Sequence, residues 1–130
     1  MASIFSQIVA GTIPCHKVAE NDDFLAFLDV QPVAKGHTLV IPKKEIDYIF
    51  DIDSELYNEL WQFARKVAVG LRQAVPCQRI GVSVIGLEVP HAHIHLLPLN
   101  SVQDTVFTNP RLHFSKEEME ALAIHIASFL

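Results

Sequence analysis

The spacing of apolar residues changes several times along the chain, and each change marks an element. Leu56, Leu60, Phe63, Val67 and Leu71 recur every three or four residues. That is the core stripe of an amphipathic helix, with Glu55, Asn58, Glu59, Gln62, Arg65 and Lys66 on its wet side. Asp53 or Ser54 caps it, and Pro76 stops it near Ala74. Trp61 lies off the stripe, suited to peripheral core or to a contact between subunits. Ile4, Phe5, Ile8 and Val9 mark one face of a short helix that Gly11 ends. Lys17 to Glu20 and Phe24 to Leu28 read as strands around the turn Asn21-Asp22-Asp23. Gly36 gives latitude to the loop before a third strand, Thr38 to Ile41, which Pro42 stops. Arg79 to Ile85 alternates Ile80, Val82 and Val84 against Gly81, Ser83 and Ile85, a fourth strand. Residues 100–112 show no period. Ser115 to Glu118 is a capping box that opens a C-terminal helix, about 115–129, with Met119, Leu122, Ile126 and Phe129 on one face.

The strictest alternation runs from His91 to Leu96, where His91, His93 and His95 alternate with Ala92, Ile94 and Leu96. Residues i, i+2 and i+4 of a strand share one face, so the histidines are expected to form a row. Imidazole titrates nearer neutrality than any other side chain, and three in a row point to chemistry. A lone histidine on such a strand would more often be a hydrogen-bonded structural residue. Two chemistries fit the row: a metal site, or a nucleophile with proton-relay partners. At about 3.3 Å per residue, the outer two Cα atoms lie roughly 13 Å apart. All three rings can hardly converge on one ion from a straight strand, so a metal would need ligands from elsewhere. Geometry favours the nucleophile.

Composition narrows the field. The chain has 130 residues, half of them hydrophobic, which fits one domain with an ample core. Its formal net charge is −5, with no Lys/Arg cluster, so nucleic acid is not an expected partner. No apolar run is long enough to span a membrane, and the first residues lack the pattern of a signal peptide. Cys15 and Cys77 show no pairing pattern and suit free thiols in a reducing compartment, here taken as the cytoplasm. His113 and His125 fall outside every motif and read as structural or solvated.

The stretch Pro90-His91-Ala92-His93-Ile94-His95-Leu96-Leu97-Pro98 resembles the signature of the histidine triad (HIT) family. Pro32-Val33-Ala34-Lys35-Gly36-His37-Thr38-Leu39-Val40-Ile41-Pro42-Lys43 resembles that family's second signature. Ile4-Phe5 through Ile13-Pro14, and Leu25-Ala26-Phe27-Leu28-Asp29, resemble its opening segments in the right order. The match covers about 3–98 of a single HIT domain spanning 1–130. The resemblance implies an α+β fold, a mainly antiparallel five-stranded sheet with packed helices, and a homodimer. It implies a nucleotide hydrolase or transferase acting at the α-phosphorus of nucleoside 5′-phosphate derivatives, foremost phosphoramidates and acyl adenylates. A dinucleoside polyphosphate hydrolase is an alternative. A nucleotide-binding or scaffolding module with vestigial activity is another.

By the same resemblance, His93 is the nucleophile, and a purine nucleotide is the substrate. His91 and His37 hold its tautomer and relay protons, while His95 meets phosphate oxygens. Ile4, Phe5, Ile8, Ile13 and Val30 line the base pocket. Asp29 takes the ribose hydroxyls, although an Asp at a strand end is as often a turn former. Two departures stand out. Many bacterial relatives bind structural zinc through Cys-x-x-Cys and a His after Pro-Lys-Lys, where this chain has Ser3, Ser6 and Glu45. No metal and no cofactor are therefore expected. The loop before His91 is short, with Leu87 where relatives carry a phosphate-touching Gln. Phosphate binding is then left to backbone N–H groups, His95 and Ser83.

Overall fold

The computed structural model describes residues 2–130. Ser3 caps the short helix α1 (Ile4–Val9) by accepting the Ser6 N–H. Three strands follow, β1 (Lys17–Glu20), β2 (Phe24–Leu28) and β3 (Thr38–Pro42). Asp53 caps the long helix α2 (Ser54–Ala74), accepting the N–H of Leu56. Strands β4 (Arg79–Ser83) and β5 (Ile94–Leu99) complete one five-stranded sheet in the order β1-β2-β3-β5-β4. Every pairing in it is antiparallel. A full capping box at Ser115 and Glu118 opens α3 (Lys116–Ala127). The fold is α+β, as the resemblance implies.

Alternation divides the sheet into two unlike faces. Phe24, Ala26, Leu28, Val40, Ile94 and Leu96 point to one side and pack with Leu60, Val67 and Leu71 of α2 and Met119 and Ile126 of α3. Leu25, Phe27, Leu39 and Ile41 point to the other, where Phe5 of α1 joins them. The first face carries the main core. The second is thinly covered, and the histidines belong to it, because His95 pairs with Leu39 across β3 and β5.

Three expectations need correcting. The histidine row is not one strand: β5 begins at Ile94, and His91 and His93 lie in the bend before it. Strand β4 ends at Ser83 rather than Ile85, ahead of Gly86 at φ +74°. Helix α3 ends at Ala127, and Phe129 is exposed rather than on its core face. Cys15 and Cys77 are both free thiols. No helix among the described residues is long and apolar enough to cross a membrane.

Candidate active site

Hydrogen bonds to fixed backbone atoms decide which ring nitrogen carries the proton in each histidine. A carbonyl oxygen can only accept. His93 Nδ1 lies 2.8 Å from the His91 carbonyl, so Nδ1–H donates and Nε2 keeps its lone pair. Val33 N–H donates to His37 Nδ1 at 3.2 Å, so the proton of His37 sits on Nε2. That Nε2–H meets His95 Nδ1 at 2.9 Å, which puts the proton of His95 on Nε2. His93 and His95 stand with ring centroids 4.8 Å apart and opposite tautomers. One presents a lone pair and the other an N–H. Neither Nε2 has a protein partner or is a buried orphan among the described residues, so both face open space.

All four histidines are buried. Burial is the main reason that His37 falls to about 3 and His95 to about 4, helped by neighbouring positive charge. Both are neutral at physiological pH. Gly36 makes the entry to His37 possible. It sits at φ +89°, and a Cβ there would meet Val75, Pro98 and Leu71 at 3.0–3.3 Å.

The His91 ring faces away from this pair. Its Nε2–H donates to the Pro42 carbonyl at 2.7 Å, and its Nδ1 accepts the Ser3 hydroxyl at 2.8 Å. Glu45 accepts the Ser3 N–H at 2.6 Å and the Ser6 hydroxyl at 2.8 Å. Those donors, the Ser3 backbone first, hold the Glu45 carboxyl down at about 2. The ring of His91 thus anchors α1, and only its backbone carbonyl touches His93. The ring of His37 holds His95, not His93. Of the two residues expected to hold the tautomer of His93, His91 does so through its carbonyl, while His37 bonds His95 instead.

The residues expected around the nucleotide divide into wall, rim and edge. Phe5 is buried and edge-on to His93 at 5.0 Å, and Ile8 packs in the same cluster. Ile13 is half-buried, while Ile4 and Val30 are exposed on the rim. Asp29 Oδ1 accepts the Gln31 N–H at 2.8 Å, and Oδ2 lies 3.7 Å from His37 Nε2. Because His37 is neutral, that approach is not an ion pair. Burial raises the pKa of Asp29. Ser83 sits directly opposite His95 on β4, so it shares that face. On another side of His93 lies a cavity of about 250 Å³, lined also by Tyr48, Phe50, Ile85 and Trp61. The Trp61 indole N–H is buried without a partner among the described residues.

The segment 102–112 supplies two residues that the sequence pattern does not reveal. The Phe107 ring stands 4.9 Å from His95 and 5.9 Å from His37. Arg111 lies beyond it, its Nη1–H donating to the Gln31 carbonyl at 2.9 Å. The one sequence signal is that no other Lys or Arg falls between Arg79 and Lys116.

A HIT domain family model matches residues 10–102. The chain belongs to the histidine triad (HIT) family. It is 35% identical to the adenosine 5′-monophosphoramidase hnt1 of Schizosaccharomyces pombe, over 98% of each chain. It superposes on a HIT-like protein of Bartonella henselae with a TM-score of 0.84 and 31% identity, covering 98% of this chain and 96% of that one. A zinc-bound histidine triad protein of Mycobacterium smegmatis gives 0.82 at 26% identity, covering 98% and 95%.

Zinc does not fit the cluster of Ser3, Ser6, Glu45 and His91 in this HIT protein. Ser3, Ser6, Glu45 and His91 are joined to one another by hydrogen bonds, and no thiolate is among them. Both ring nitrogens of His91 are engaged. Asp29, His37 and His95 also bring potential ligand atoms within 4.8 Å of one another. A metal there would have to displace the 2.9 Å bond between the two rings.

Proposed function

We propose that this protein is a nucleotide hydrolase that cleaves nucleoside 5′-phosphoramidates or related acyl adenylates at the α-phosphorus. The observation that carries the reading is the pair of opposite tautomers at His93 and His95. The His93 Nε2 lone pair attacks phosphorus, forming a P–N bond as the bond to the leaving group breaks. The electron pair leaves with that group, and a leaving amine takes up a proton from solvent, which the later attack of water returns. The His95 Nε2–H donates to a non-bridging oxygen and stabilises the charge that builds there. Water then attacks the nucleotidyl-histidine, releasing the nucleoside monophosphate and returning His93 to its starting tautomer. Asp29 receives the ribose hydroxyls, and Phe5, Ile8 and Ile13 wall the base. The activity named for the fission-yeast relative supports the phosphoramidate class.

The experiment is a turnover panel of adenosine and guanosine phosphoramidates and dinucleoside polyphosphates, with a mid-turnover quench using substrate labelled in its α-phosphate. Acid-labile label on the protein is the expected result. Preference for polyphosphates would move the substrate class. Binding without any turnover would make the protein a nucleotide-binding module.

The same reading includes a homodimer. Strand β4 is a sheet edge, and Val82 at 54% exposure and Ile85 at 46% give its surroundings an apolar surface. Light scattering at micromolar concentration tests it, and a monomer mass would remove the dimer from the proposal.

A further inference from the structure

We propose that Arg111 is the phosphate-binding cation of this site, donating hydrogen bonds to the non-bridging oxygens of the nucleotide's phosphate. The proposal rests on the nucleotide reading above and adds to it a residue outside the matched family region, 10–102.

The placement of Arg111 is fixed from three directions. Its Nη1–H donates to the Gln31 carbonyl at 2.9 Å, and Gln31 N–H in turn donates to Asp29. Its guanidinium carbon stands 5.8 Å from the centroid of Phe107, the ring that packs against His95 and His37. The next residue, Leu112, donates its N–H to the Pro32 carbonyl at 2.9 Å. The guanidinium is thus held between the Asp29 loop and the His37–His95 pair. Its charge acts on all three residues.

Arg111 also has donors to spare. A guanidinium carries five N–H groups in a planar fork, and one is used here among the described residues. That fork matches the geometry of phosphate oxygens.

The electrostatics of the site call for such a group. The chain carries a net charge of −5, and the Asp29 carboxylate lies 3.7 Å from His37 Nε2. His37 and His95 are neutral at physiological pH and offset none of that charge. Arg111 is a cation whose charge reaches Asp29, His37 and His95 alike. Phe107 adds a mechanical element. Its ring stands 5.8 Å from the guanidinium carbon and 4.9 and 5.9 Å from the rings of His95 and His37, so it links the cation to that pair.

The test compares AMP with adenosine, which differ by the phosphate alone. Binding to the full-length protein is measured by calorimetry for wild type, Arg111→Gln and Arg111→Lys, at low and high salt. Wild type should prefer AMP, and the preference should shrink with salt. Arg111→Gln should weaken AMP roughly tenfold or more while adenosine stays within about twofold. Arg111→Lys should recover part of the loss, and it still decides the matter if the Gln variant fails to fold. An equal loss for both ligands would make Arg111 a support for the Asp29 loop and overturn the proposal. So would an unchanged AMP affinity. Wild type that binds neither ligand would sink this proposal and the nucleotide reading together. Wild type that binds AMP through Arg111 yet turns over no substrate would remove the hydrolase reading alone.

Discussion

The two faces of the sheet use the same strands for opposite ends. On the helix face, Ile94 and Leu96 of β5 vanish under α2 and α3 in aliphatic packing. On the other face, the intervening His95 meets a histidine, a phenylalanine and open space. One residue of offset along the strand separates core from chemistry. The helix face is closed by helices of 21 and 12 residues, the site face by a helix of six and an irregular segment. The thick side makes the strands rigid, and the thin side leaves room for a ligand. The carbonyl that orients His93 belongs to His91, in the bend that leads into β5.

The sharpest way to break this division is on the site face. His93→Ala should abolish the proposed turnover, by at least about three orders of magnitude, while AMP affinity stays close to wild type. Single-turnover kinetics and calorimetry measure the two quantities separately. A variant that turns over at the wild-type rate would remove His93 as the nucleophile. Its melting temperature should fall only by what the His93 ring contributes against Phe5, since the main core lies on the other side.

Acid should undo the site face through its buried histidines. His37 and His95 have folded-state pKa values of about 3 and about 4, below the ordinary 6.5. The unfolded chain takes up their protons first as pH falls. Their contribution to stability is therefore full above pH 6.5 and declines between 6.5 and about 4, then more slowly to about 3. The decline reaches at most about 1.4 kcal/mol per pH unit for each histidine. Urea melts across this range should show it, and His95→Asn should flatten it. A wild-type stability that is level from pH 7 to 4 would contradict the assigned neutral states.

Asp29→Ala is expected to have a smaller effect, on ligand choice. Losing a charge-assisted hydrogen bond to ribose costs ~1.5–3 kcal/mol of binding. Discrimination against the 2′-deoxy nucleotide should fall with it. Unchanged discrimination in a folded variant would leave Asp29 as the acceptor for Gln31 N–H alone. Ser3→Ala should cost least, about 1 kcal/mol, through the lost cap of α1 and the lost bond to His91. Thermal unfolding reads it directly.

Much of the helix face can be read in the sequence, because periodicity is a local record of burial. The cap at Asp53 and the stripe on α2 both follow from residues a few places apart. The site face is harder to read. Its bonds join Ser3 to His91 and Gln31 to Arg111, separated by 88 and 80 positions. No window of neighbouring residues contains that information. The row of three histidines is legible as a motif, but its division of labour is not. Alternation places His91 beside His93, while the Pro42 carbonyl turns the His91 ring towards α1.

The segment carrying Phe107 and Arg111 has a consequence for how this protein could change. It lies beyond the matched region 10–102, and so does α1 at the other end of the chain. The proposed nucleophile His93 and the carbonyl that sets its tautomer lie inside that region, whereas α1 and the segment with Phe107 and Arg111 lie outside it. The proposed reactive groups and the proposed phosphate cation are thus written on different stretches of the polypeptide. Evolution or an engineer could exchange about a dozen residues after β5 and retune which anions enter. The bond-breaking apparatus would be inherited intact, as a tool keeps its motor when its fitting is replaced.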